Sequence, residues 1–451
     1  MDLVIFLALS AANVGLIVLN LWIWGIASCE GVLMLYYGAA VVSDNVELVY
    51  DCVFRPDVLP LGTEEFAIRI YPTEIYIAAM LILMVGLFVG NPHRVSIRIQ
   101  LDEAGLLSLR KLGWALVCLG MTVFIVGVMI SGGQNLASEL QDFRSTVMSY
   151  GSFWYRGIDI AVIGMGFVFA ATSSERRISY LPLLAMATAA FFLTSNKGGI
   201  EKAFLWSGIA VYVFNGKAFT AIVTPRRVAA AIAVIYLGLG AKLLWLAKSS
   251  DIPLSFDRIT ESAQAAFSDR FSDLGDYRSF SQFLDTLPSY QDRWAGFEVG
   301  EYTLTEWIPR VVYPNKPPNP FQAIGVMTHK EFADSTSEEV EAPGWAGVAI
   351  TDDSYYSLVI YLLATGVFLG LLRQAAASST IHVERRAAYL LFILLGGFSY
   401  ESGMLSIPDN LLLAICITAG AKVLIAISGY PLGSSRLHGA PAGFPASRLS
   451  R

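Results

Sequence analysis

The sequence predicts an all-α polytopic membrane protein with about 10 to 11 transmembrane helices and a large extracytoplasmic loop carrying amphipathic helices. Three observations predict it. The 451 residues are 55% hydrophobic and only 15% charged, with mean hydropathy +0.56, a composition unlike that of soluble domains. Apolar runs of about 16 to 22 residues recur along most of the chain, each long enough to cross a roughly 30 Å hydrocarbon core as a helix, which rules out a β-barrel. One segment of about 108 residues, 247–354, separates two of these runs. With a net charge of −6 and pI near 5.4, and with no basic stripe, nucleic-acid binding is disfavoured. Cys29, Cys52, Cys118 and Cys416 form no CxxC and no disulfide framework.

From the N-terminus, Leu3 to Val42 is apolar apart from Glu30 and has no positive leader, so a cleaved signal is not expected. Its length exceeds one span. It predicts either two short helices broken near Ser28–Gly31 or one helix with a re-entrant piece. Later spans fall at about 72–90, 112–131, 157–172, 180–194, 199–214, 228–246, 355–372, 387–404 and 409–429. Alternate loops are basic. Arg94, Arg98, Arg110 and Lys111 sit in one, Arg176 and Arg177 in the next, then Lys217, Arg226 and Arg227, then Arg373, Arg385 and Arg386, and finally Arg436, Arg448 and Arg451. Basic loops are retained in the cytoplasm, so residues 43–71, 132–156, the turn Thr194–Gly199 and segment 247–354 are expected outside. The organisation is an N-terminal transmembrane bundle (1–246), the extracytoplasmic loop (247–354), C-terminal transmembrane helices (355–429) and a cytoplasmic tail (430–451) rich in Gly, Pro, Ser and Ala, expected to be disordered.

Within the long outer segment, Ile259, Ala263, Ala266, Phe267 and Phe271 recur at helical spacing, predicting an amphipathic helix over 252–274. A second runs over 277–287, with Phe280, Phe283, Leu284 and Leu287 on one face and Pro288 ending it. Both have the pattern of helices that lie flat on a bilayer. Next, Pro309, Pro314, Pro317 and Pro318 restrain the backbone around Arg310 and Lys316. Two fixed cations suit an anion, Arg310 by forking onto two phosphate oxygens and Lys316 as a point charge; binding to lipid headgroups or neighbouring carboxylates is the alternative.

The run Trp307-Ile308-Pro309-Arg310-Val311-Val312-Tyr313-Pro314-Asn315-Lys316-Pro317 resembles an element late in the large outer loop of bacterial oligosaccharide repeat-unit polymerases of the Wzy type. Trp294-Ala295-Gly296-Phe297 before it fits that family, as does Pro343-Gly344-Trp345 leading into Gly366-Val367-Phe368-Leu369-Gly370. The motifs cover about 277 to 372. Where these polymerases often show a Glu after the Pro-Gly turn, this chain has Gly347-Val348-Ala349 and then Asp352-Asp353. Thr194-Ser195-Asn196-Lys197-Gly198-Gly199 resembles the family's "SRG" turn, with Lys197 in place of Arg; a lysine snorkelling to the interface is the other reading.

The resemblance implies an inner-membrane glycosyltransferase that transfers a glycan from undecaprenyl pyrophosphate to a sugar hydroxyl of another lipid-linked repeat, alongside a flippase and a chain-length regulator of the same pathway. Charge then develops on the leaving pyrophosphate, and fixed cations stabilise it. Arg310, Lys197, Lys316, Arg278 and Arg293 are the candidates; ion pairing with Asp276 or Asp292 is the plainer reading of Arg278 and Arg293. The acceptor hydroxyl benefits from a base, for which Glu298, Glu301, Glu306, Asp285 and His329 are available, His329 favouring a ligase-like enzyme. Trp294, Phe297, Tyr302 and Trp307 suit stacking on sugars or an interfacial belt. Asp57 and Glu64-Glu65 make only a weak metal signal, so neither metal nor cofactor is expected. An O-antigen ligase and a lipid-linked oligosaccharide transporter are the competing readings; a transporter would place its charges at mid-membrane.

Overall fold

The structure is a computed structural model and describes residues 2–24, 45, 48–49, 53–54, 65–93, 97–130, 152–172, 198–215, 280, 284, 298–305, 308, 312–315, 317, 344–352, 354–378, 383–396 and 403–427. Every element among them is helical: α1 (Asp2–Trp24), α2 (Glu65–Gly90), α3 (Glu103–Ile130), α4 (Ser152–Ala171), α5 (Gly198–Asn215), α6 (Glu298–Thr305), α7 (Gly344–Ile350), α8 (Ser354–Ser378), α9 (Val383–Leu394), a 3-10 turn (Met404–Ser406) and α10 (Ile407–Ile427). Among the described residues five stretches, in α1, α2, α3, α8 and the turn running into α10, are long and apolar enough to cross a membrane. These helices are apolar all round. On α2 the inward residues Met80, Leu83, Met84 and Leu87 are buried while Leu81, Val85 and Val89 face out, as lipid-facing helices require.

The chain divides into two compact units, residues 1–95, 236–375 and 392–415, and residues 96–235, 376–391 and 416–451. In the first, α1 packs on α2. Phe6 meets Phe66 edge-on at 5.3 Å, and the Asn20 amide donates to the Met84 sulfur at 2.8 Å, so the two helices run parallel. Leu48 joins the Phe6–Phe66 cluster. Residues 25–44, including the expected break, lie outside the described residues.

α2 and α8 are also parallel, and glycines set their separation. A Cβ on Gly86 would sit 2.6 Å from the Leu363 carbonyl oxygen, and one on Gly366 would sit 2.5 Å from that of Leu83. Gly90 and Gly370 repeat the contact four residues on, a small-xxx-small pair on each helix that lets backbones touch. The hydroxyls of Tyr71 and Tyr355 hydrogen-bond at the N-terminal ends of these helices. With Tyr356 they stay exposed, as in an interfacial aromatic belt. A shared direction for α2 and α8 is what the alternating basic loops require.

In the second unit α3 and α4 are antiparallel: Gly113 abuts Gly164 and Gly120 abuts Gly157, with a Cβ on Gly157 falling 2.6 Å from the Gly120 carbonyl oxygen. The seven-residue spacing keeps both glycines on one seam. Backbone N–H groups of Ile99 and Leu101 donate to the carbonyls of Val213 and Phe214 at 2.7 and 3.4 Å, so α5 ends where α3 begins. That same end collects positive charge. Arg98 lies over the Tyr212 ring at 5.2 Å, and buried Arg386 donates to the carbonyls of Ile97 at 2.6 Å and Ala377 at 2.8 Å. Two loops expected to share the cytoplasm thus meet.

The expected span at 387–404 differs. α9 stops at Leu394, because Gly396 turns back with φ 87 and its N–H closes on the Ile393 carbonyl at 3.0 Å. The Asn410 amide holds the Gly396 carbonyl at 2.7 Å. Twelve helical residues rise only about 18 Å, too little to cross alone. The expected spans at 180–194 and 228–246 and the tail lie outside the described residues.

Candidate functional site

A small helical platform lies beside the N-terminal part of α2, in the first unit. Its base is aromatic. Tyr76 of α2 receives Phe280 edge-on at 4.8 Å and Trp345 at 5.7 Å; all three are essentially fully buried. Phe280 and Leu284, one face of the second amphipathic stretch, thus pack into protein rather than lying on lipid. Trp345 opens α7, whose residues from Trp345 to Ile350 are all buried. Gly403, at φ 52, lies against Trp345, where a Cβ would come within 3.0 Å of its Cα and Cβ. A side chain is excluded there twice, by strain and by space.

α6 rests on this base through Asp352. The carboxylate follows α7 directly and is buried. It accepts the N–H groups of Val299 at 2.9 Å and Gly300 at 3.2 Å, and also the Tyr361 hydroxyl. It thereby satisfies two of the orphan donors at the start of α6 and meets the positive end of its dipole. This N-terminus is filled by the protein's own anion. Val299 and Tyr302 turn inward, so Tyr302 is core rather than a sugar platform. Thr303 and Thr305 close their hydroxyls onto the carbonyls of Val299 and Glu301 at 2.8 and 2.7 Å.

The outward side of α6 carries Glu298 and Glu301, both partly exposed. Glu301 accepts the Tyr313 hydroxyl at 2.5 Å, and that bond, more than partial burial, raises the phenol above its ordinary value. Tyr313 belongs to the proline-flanked Trp307–Pro317 run, so its turn is tied to α6. The Ile308 N–H also returns to the Thr305 carbonyl at 2.9 Å. Of the site residues expected from sequence, Glu298, Glu301 and Tyr302 are described; Arg310, His329, Lys197, Lys316, Arg278, Arg293 and Trp307, with Glu306, Asp285, Trp294 and Phe297, lie outside the described residues. Among the described residues, no three His, Cys, Asp or Glu side chains converge as metal ligands.

Asp352, Tyr361 and the Glu301–Tyr313 pair were not singled out as a unit by the sequence. Glu301 carried a signal, standing one helical turn from Glu298 on the same face. No family model, curated protein or solved structure matches the chain.

Proposed function

We propose that the chain is a membrane glycosyltransferase that polymerises undecaprenyl-pyrophosphate-linked oligosaccharide repeats into O-antigen, capsule or exopolysaccharide at the outer face of the bacterial inner membrane. The observation that carries the reading is the tie between Tyr313 and Glu301, on a helix itself held by Asp352. It joins a carboxylate-bearing helix to the segment containing Arg310 and Lys316. Loop charge assigns that segment to the outside, where lipid-linked repeats are presented.

In the proposed reaction the acceptor hydroxyl oxygen attacks the donor's anomeric carbon. The bond from that carbon to the pyrophosphate oxygen breaks, and undecaprenyl pyrophosphate leaves with both electrons. Glu298, on the exposed side of α6, takes the hydroxyl proton; His329 is the other candidate. Arg310, Lys316 and Lys197 stabilise the departing charge, with Arg278, Arg293 and Trp307 contributing to glycan or headgroup binding. The cytoplasmic C-terminus follows from the same loop-charge rule.

The test is surface glycan from a deletion strain complemented with Arg310→Ala, resolved on a gel. Single-repeat product supports a polymerase. Full-length polymer left on its carrier points to a ligase, and substrate trapped on the inner leaflet points to a transporter; either overturns the proposal.

A further inference from the structure

We infer that Glu301 and Tyr313 form a latch that holds the turn at 312–315 to α6, making both positioning residues for the reaction proposed above. The catalytic consequence rests on that reading; the geometry does not. The turn at 312–315 has little burial to hold it, since Val312 is 74% exposed and Pro314 and Asn315 are also exposed. Among the described residues of that turn it is Tyr313 that reaches back, and its hydroxyl meets Glu301 at 2.5 Å. The anchor point is itself fixed, because Asp352 holds the first turn of α6 by two backbone N–H groups.

The pairing also divides labour between the two acids. A Glu301 oxygen is occupied by a neutral phenol, which steadies the turn without cancelling positive charge. Glu298 is left as the α6 carboxylate for proton transfer. A latch of this kind depends on an acceptor oxygen and not on charge, so a glutamine at 301 preserves it. A general base depends on the charge, so glutamine destroys it.

The test attaches a nitroxide spin label at Asn315→Cys in the full-length chain, with the four native cysteines changed to Ser. The rotational mobility of the label is read by electron paramagnetic resonance in liposomes, and surface polymer is run on a gel from strains carrying the same variants. Tyr313→Phe and Glu301→Ala each raise the ratio of mobile to immobile label by about threefold to tenfold, as loss of one hydrogen bond allows, and shorten the polymer. Glu301→Gln restores both to within about twofold, and the double variant Glu301→Ala/Tyr313→Phe frees the label no further than either single one, as a shared contact requires. Equal damage from Glu301→Gln and Glu301→Ala, or no change in mobility with Tyr313→Phe, overturns the latch. Mobility that follows the latch pattern in a chain that makes no polymer upholds the latch and sinks the polymerase reading.

Discussion

Replacing Asp352 by Ala is the sharpest structural perturbation, because one buried carboxylate serves three donors. Val299 N–H, Gly300 N–H and the Tyr361 hydroxyl all point at it. A buried donor left without a partner costs about 1–3 kcal/mol, so three give roughly 3–9 kcal/mol before water enters; local opening at the lower bound still corresponds to about a hundredfold. Hydrogen exchange of the peptide covering Glu298–Thr305 reads this directly. In Asp352→Ala its amides are expected to exchange at least about a hundredfold faster at neutral pH, while α3 and α4 in the other unit are unchanged. Asp352→Asn keeps one oxygen for Val299 and can donate to Tyr361, so its loss is expected near one hydrogen bond, about 1–3 kcal/mol. Unaltered exchange at Val299 and Gly300 in the Ala variant, or equal damage from Asn and Ala, refutes the reasoning.

The other predictions concern packing, burial and pH. Gly86→Ala and Gly366→Ala each drive a Cβ into backbone and are expected to lower the melting temperature in detergent by the equivalent of about 1–3 kcal/mol. Gly208→Ala meets nothing within 4 Å and is expected to be neutral or stabilising by up to about 1 kcal/mol; the opposite order contradicts the glycine contacts. Asn13 is fully buried, and among the described residues neither amide atom has a partner, so Asn13→Leu is expected to raise the melting temperature by relieving about 1–3 kcal/mol. Arg386→Lys keeps the charge but loses the fork that bridges Ile97 and Ala377, and a loss of about 1.5–3 kcal/mol in thermal unfolding is expected, with no change as the refuting result. Raising pH from about 7 to 9 leaves the mobility of the spin label at Asn315→Cys unchanged. The folded phenol of Tyr313 lies above its ordinary value, so its contribution is fully present below about 10 and lost only as pH rises through the folded value.

Much of the helical framework could be read from hydropathy, since α2, α3, α8 and α10 coincide with long apolar runs. Their partners could not. Glycines four apart on α2 and α8, or seven apart on α3 and α4, mean close approach only once the facing helix is known. The 387–404 run averaged across Gly396, and a sliding average cannot see one positive φ inside an apolar stretch. At the platform, periodicity put Phe280 and Leu284 on a common face, but whether that face met lipid or protein depended on Tyr76, about two hundred residues away in the chain. Asp352 and Asp353 are chemically alike, and only the start of α6 distinguishes the first of them. Tyr302 likewise resembled a surface aromatic until the orientation of α6 buried it.

The most direct measurement is made on the purified chain in liposomes supplied with an undecaprenyl-pyrophosphate-linked repeat. Wild-type protein is expected to yield a ladder of lengthened glycan together with free undecaprenyl pyrophosphate, and Arg310→Ala to yield neither. A wild-type protein that releases no carrier and extends no glycan, or an Arg310→Ala variant that does both at the wild-type rate, contradicts the account.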